Sequence, residues 1–451
     1  MTVNDLTLGK PSTALLRFSI PLFIGNLFQQ IYNIVDTIVV GQLIGSTAMA
    51  SVGTCGVITN LVNSAGLGLA SDCCILISQY VGAKKNDKVK SSINTSVFMF
   101  VALGLLGTIL GLLFIKPMLR VLNTPQDMFG YCVTYLKTVF LGILFVMLYN
   151  ILNQISTALG DSKTPMYSLL VASVLNVVLD IFFTICLHMS IMGVALATVI
   201  GQGCAAILCY LTIKKHINAL PLENKSISVF EICLCKKMAE LGVPSLIQNV
   251  ISSSGVLAIQ SLLNSFGSIT VAAYTAANKI DGIAMTPMVS LGTAMAMYTG
   301  QNVGSKKYDR VKDGFKFCNG IAFIICVILG VFIFFQTDFL MKLFVSDSAS
   351  PLLFNIGKEY LHVAVFSYFI MAVMFITTGL LRGAGNVKIV FACAMLDLGM
   401  RCLFAYVMVH YIGRYGLWLS YPFGWICSCL LCFPVYLRGK WKNSKVIESD
   451  K

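Results

Sequence analysis

The chain has 451 residues, 57% hydrophobic and only 11% charged, with a mean hydropathy of +0.83 and a formal net charge of +13. Soluble domains carry roughly 25% charged residues, and no soluble core could bury this much apolar side chain, so the composition excludes a water-soluble protein in favour of a multi-span membrane protein. The basic excess would suit nucleic acid only if it were clustered on one surface; it is spread along the chain between apolar runs.

Twelve apolar runs are long enough to cross a hydrocarbon layer of roughly 30 Å. In chain order they fall near 18–43, 47–79, 91–115, 129–157, 165–187 and 191–213, then 239–264, 269–301, 316–336, 357–380, 387–411 and 416–437. The first is too long for a signal-peptide core and is expected to stay in the protein. Of the 32 Lys and Arg, 24 lie on the side of the N-terminus, six lie opposite, and Lys279 and Arg401 lie within spans. This asymmetry predicts an inner or plasma membrane protein with both termini cytoplasmic. Most of the 16 cysteines sit in spans, where Cys behaves as a small apolar residue, and no metal site is expected.

The loop after span 2, QYVGAKKNDKVK (79–90), matches the loop after span 8, QNVGSKKYDRVK (301–312), at eight of twelve positions. Pro21 and Pro244 repeat at nearly the same offset, as do TYLK (134–137) with EYLH (359–362) and ALGDSK (158–163) with GAGNVK (383–388). The chain is therefore a duplicated six-span unit. Six is even, so the halves are parallel repeats about an axis along the membrane normal. The predicted fold is an all-α membrane protein of twelve transmembrane helices in two such repeats: an N-terminal lobe (1–213), a cytoplasmic linker (214–238) and a C-terminal lobe (239–451). Facing repeats of this kind suit an alternating-access carrier.

Acids inside spans narrow the function. Asp36 on span 1, Asp180 on span 5 and Thr198 on span 6 all fall roughly 10 Å below the outer surface at 1.5 Å per residue. Asn176 lies one turn from Asp180 on the same face. On span 1, Asn26, Gln29, Gln30, Asn33, Asp36 and Thr37 form a polar stripe, which must face the bundle interior. Asn, Gln and Thr serve readily as interhelical glue. A carboxylate in hydrocarbon must instead be paired, neutralised or hydrated, and two at one depth suit a proton or Na⁺. By the repeat offsets Asp36, Asn176 and Asp180 correspond to Ile259, Arg401 and Ala405, so the scaffold repeats and the acids do not. Lys279 and Asp281 near mid-span 8 are candidates for touching a substrate. Asp397 and Arg401, four residues apart, read as a neutralising pair. Pro21, Pro244 and Pro287 are expected bending points.

Span 1 with Pro21 and YNIVDTIVVGQLIG (32–45), the QYVGAKK loop, ALGDSKTP (158–165) with NVVLD (176–180), and LLRGAGN (380–386) together resemble the multidrug and toxic compound extrusion (MATE) family, in its bacterial NorM- and DinF-like forms. The resemblance implies the MATE/MOP-type fold and a secondary antiporter driven by H⁺ or Na⁺. Its substrates would be small, amphipathic, cationic organic compounds. It implies a cation-coupling network at Asp36, Asn176, Asp180 and Thr198, and polar contacts near the substrate at Gln29 and Asn153, beside Asn33. Acids that some family branches carry on spans 7 and 10 are missing here. No cofactor is implied beyond the coupling ion, no nucleic acid, and no partner beyond membrane lipids; a monomer is expected. The alternative is a flippase for a lipid-linked saccharide or other lipid precursor, whose pyrophosphate would need more basic residues than Lys279 and Arg401. An enzyme is not expected: His188, His216, His362 and His410 are scattered, and no HExxH, GxSxG or P-loop occurs.

Overall fold

The computed structural model describes residues 5–122, 124–221, 228–345 and 350–443, apart from the side chains of 33–43, 46 and 443. The first half contains α1 (Pro11–Leu43), α2 (Ser46–Gly82), α3 (Asn86–Val121), α4 (Gln126–Leu141), α5 (Ile143–Ala158), α6 (Lys163–Ile181) and α7 (Ser190–Asn218). A π-helical turn, Phe182–Cys186, closes α6. The second half contains α8 (Ile232–Asn264), α9 (Ser268–Gly304), α10 (Tyr308–Lys342), α11 (Pro351–Gly383), α12 (Val387–Ile412) and α13 (Arg414–Leu437). No strand occurs among the described residues. Ten of these helices are long and apolar enough to cross a membrane, and α4 with α5, bent by 51°, makes an eleventh span. With the 33-residue α1, this is the predicted series of spans.

The duplication is visible in the backbone. Lys84 and Lys306, at equivalent places in the matching loops, both adopt left-handed backbone with φ of 56° and 58°. The N–H groups of Ala83, Lys84 and Lys85 bond to the carbonyls of Gln79, Val81 and Tyr80. Ser305, Lys306 and Lys307 bond in the same way to Gln301, Val303 and Asn302. Gly160 and Gly385 likewise share φ of 87° and 86° at the second pair of turns, a conformation that glycine adopts without a Cβ penalty. The loop repeat noticed in the sequence is thus a repeated helix-ending turn.

Two compact units emerge from the packing. One holds Ile24–Leu246; the other holds Leu6–Phe23 and Ile247–Lys451. Membership changes just after Pro21 in α1 and just after Pro244 in α8, and both helices run through their prolines as single elements, as α9 does through Pro287. A sharp bend of 51° falls at Gly142, between α4 and α5. A Cβ there would stand 2.3 Å from the methyl carbons of Val199, so only glycine lets α7 come this close.

The repeated loops also have a packing role. In the second unit, Arg310 donates to the carbonyls of Leu6, Leu8 and Gly9, and Lys307 donates to that of Thr7. Asn302 donates to Leu6 O, and Gln301 accepts from Leu6 N–H. In the first unit, Lys88 pairs with Glu231 at 3.3 Å, Thr95 accepts the Glu231 N–H, and Asn86 donates to Pro221 O. Each repeat of the motif therefore holds the stretch of chain that leads into α1 or α8.

Candidate functional site

The turn ALGDSKTP prepares the first part of the site. Asp161 Oδ1 accepts from the N–H groups of Lys163 and Thr164, at 3.0 and 3.1 Å, capping α6 at its first turn. Four turns on, α6 carries Asn176 and Asp180 on one face, and α7 is drawn against that face by its small residues. A Cβ at Gly201 would meet Ala172 O at 3.1 Å and Asn176 Cβ at 3.6 Å.

This approach brings Thr198 to Asn176. In the orientation that satisfies both neighbours, the Asn176 amide nitrogen donates to Asp180 Oδ2 at 3.0 Å. Its oxygen then lies 3.0 Å from the Thr198 N–H and 3.2 Å from the Thr198 hydroxyl. Asp180 is fully buried and Asn176 is 2% exposed. Immediately beyond Asp180 the helix widens into the π turn, a local form found mostly at functional sites. Three of the four predicted coupling residues are therefore one hydrogen-bonded cluster in the first unit. The fourth, Asp36, lies on α1 outside the described side chains, as does Asn33.

The predicted substrate residues fall in both units. Gln29 is exposed on α1, and Lys279 is exposed on α9. Asn153 is half-buried on α5 and donates to the Tyr149 hydroxyl at 3.0 Å. Asp281 is 1% exposed, and both its oxygens are taken: Tyr360 donates to Oδ2 at 2.9 Å and Tyr368 to Oδ1 at 2.8 Å.

A second polar group adjoins Asp281 in the same unit. Arg401 pairs with Asp397 at 2.8 Å, as the spacing predicted, and its guanidinium lies 4.5 Å from the centre of the Tyr421 ring. The Tyr421 hydroxyl is 2.9 Å from that of Tyr274. Tyr274 stacks on Trp418 at 5.6 Å, and Tyr360 meets both rings edge-on. Of the remaining in-span acids, Asp72 is fully buried and accepts from the Ser245 hydroxyl.

Three features escaped the sequence reading: the break at Gly142, the π turn after Asp180 and the tyrosine partners of Asp281. A glycine within the apolar run FLGILF was the only trace of the first. The other two depend on contacts between spans and left no local pattern.

The family model MatE matches residues 21–182 and 244–407, one block in each half. The chain is 30% identical to the probable multidrug resistance protein YpnP of Bacillus subtilis (strain 168), over 99% of both chains. It is 24% identical to the multidrug export protein MepA of Staphylococcus aureus (strain MRSA252), over 83% of this chain and 82% of that one. Among solved structures, a MATE protein in complex with MaL6 superposes with a TM-score of 0.90 at 22% identity, covering 99% of each chain. An outward-facing multidrug resistance MATE transporter of the MOP superfamily superposes at 0.88 with 23% identity, again over 99% of each. At these identities the superpositions speak for the fold.

A duplicated, multi-pass chain, helical among the described residues and with these relatives, falls in the class of membrane transporters. It belongs to the MatE family, that of the multidrug efflux transporters.

Proposed function

We propose that the protein is a cation-driven antiporter that exports amphipathic, cationic organic compounds across the plasma membrane by alternating access. H⁺ or Na⁺ would exchange at Asp36, Asn176, Asp180 and Thr198. In the proposed cycle the two repeats act as the moving lobes about the linker 214–238, with both termini in the cytoplasm and the monomer as the working unit. An outward-open state takes up the ion and releases the compound, and the bound ion favours return to the inward-open state. A ligand drives such a switch only through its different affinities for the two states. Gln29, Asn33, Asn153 and Lys279 would meet the substrate.

The single observation that carries this reading is the buried cluster in the first unit, where Asn176 joins Asp180 to Thr198. A fully buried intramembrane carboxylate that accepts from an asparagine amide is costly unless it binds an ion, which suits reversible ion exchange. The names of the relatives support export of small molecules. A flippase has less support: of the two basic residues within spans, Arg401 is already committed to Asp397.

The test is uptake of ethidium into everted vesicles energised separately by a pH gradient and by a sodium gradient. Asp36→Asn, which imitates the protonated acid, should abolish uptake under whichever gradient drives the wild type while leaving the protein folded. Unchanged uptake by that variant overturns the assignment.

A further inference from the structure

The two carboxylates on α9 and α12 are held by chemically different partners. Asp397 faces a guanidinium, which can only donate and is always charged, so this pair is at ease only when the acid is ionised. Asp281 faces two phenol hydroxyls and, among the described residues, no basic group within ion-pair distance. A hydroxyl can donate to a carboxylate or accept from a carboxylic acid across the same oxygen–oxygen distance. The Asp281 site therefore accommodates both protonation states without moving a helix.

We propose that Asp281 is a proton-binding site of the second unit, loaded and unloaded during transport, with Tyr360 and Tyr368 as its positioning residues. This role rests on the antiporter reading and gives Asp281 a task other than direct contact with substrate. In the charged state both tyrosines donate, as observed. On uptake one proton joins one carboxylate oxygen. The acid hydrogen is then donated to the facing tyrosine oxygen, whose own hydrogen turns away, while the other tyrosine keeps donating.

Among the described residues, the side chains that contact the site are neutral, and an ion pair lies beyond them. Tyr274 comes from α9 itself, Tyr360 and Tyr368 from α11, Trp418 and Tyr421 from α13, and Cys326 from α10. The ion pair Asp397–Arg401 on α12 is linked to the site through Tyr421 and Tyr274. With its one charge of each sign, that pair leaves no net charge to hold Asp281 permanently ionised. An isolated carboxylate buried in protein at membrane depth is expensive, and taking up a proton relieves that cost.

Infrared difference spectroscopy between acid and alkaline pH tests this on the purified full-length protein, with no substrate required. A protonated carboxyl has a carbonyl stretch that vanishes on ionisation. The wild type should show such a band, and Asp281→Asn should lack it. Should that variant fold poorly, Tyr360→Phe and Tyr368→Phe decide the matter: each removes one hydrogen bond and should shift the band without abolishing it. The proposal is overturned if Asp281→Asn retains every titrating band, or if the tyrosine variants leave the spectrum unchanged. Ethidium uptake is measured in parallel. Loss of gradient dependence in the wild type would defeat the antiporter reading, whereas the infrared result separately decides whether Asp281 exchanges a proton.

Discussion

Asn176 lies between Asp180 and Thr198, its amide nitrogen 3.0 Å from one Asp180 oxygen and its own oxygen 3.0 Å from the Thr198 N–H. One side chain thus links two helices and orients a fully buried acid. Replacing it by leucine leaves that acid without this donor. Asn176→Leu is expected to lower stability by about 1–3 kcal/mol, the usual cost of stranding a buried polar group. Thermal unfolding of the purified variant measures this, and ethidium uptake in the same preparation should fall. Asn176→Asp, in contrast, adds a second acid beside Asp180 and should change the pH dependence of uptake.

The pair Asp397–Arg401 is expected to behave asymmetrically. Its side chains are 16% and 15% exposed, so Arg401→Ala strands a largely buried charge and should cost about 3–5 kcal/mol. Replacing both residues together by leucine and methionine should cost far less, because an apolar pair of similar volume carries no desolvation penalty. Thermal stability of the variants reads the difference; a loss in the double variant as large as in Arg401→Ala would overturn the predicted asymmetry.

Gly142 tests the break between α4 and α5. A Cβ there would overlap the Val199 side chain, so Gly142→Ala is expected to destabilise by about 1–3 kcal/mol through overpacking. Val199→Ala should recover most of that loss when the two are combined. Because Val199 adjoins Thr198, uptake should follow stability in this series.

Arg310 should matter where Lys312 does not. Arg310 supplies donors to three carbonyls of the segment leading into α1, whereas Lys312 pairs with the highly exposed Asp309. Hydrogen exchange at residues 6–9 is expected to quicken in Arg310→Ala and to stay at the wild-type rate in Lys312→Ala. Equal exchange in both variants would show that the segment is held by other contacts.

Much of this protein was legible without coordinates, because the membrane imposes rules that act locally along the chain. Apolar length marks the spans, basic residues mark one side, and duplication leaves matching loops at a constant offset. Asn176 and Asp180 could be paired because a helix puts positions four apart on one face. Thr198 could join them because depth follows from counting residues along neighbouring spans. Those inferences require only the geometry of single helices.

What tertiary structure decided is which faces meet. From the sequence Asp281 was a candidate for touching a substrate; its two tyrosines come from another helix, 79 and 87 residues further on. The repeated QxVG loops showed the duplication in the sequence; the structure adds that their polar side chains hold the chain leading into α1 and α8. The residue at the break is glycine because Val199 occupies the space that a side chain would need. Hydropathy reports how each residue meets lipid or water, one position at a time. Whether a buried acid meets a hydroxyl or a guanidinium depends on helix packing, and that choice separates an acid able to exchange a proton from one fixed as a charge.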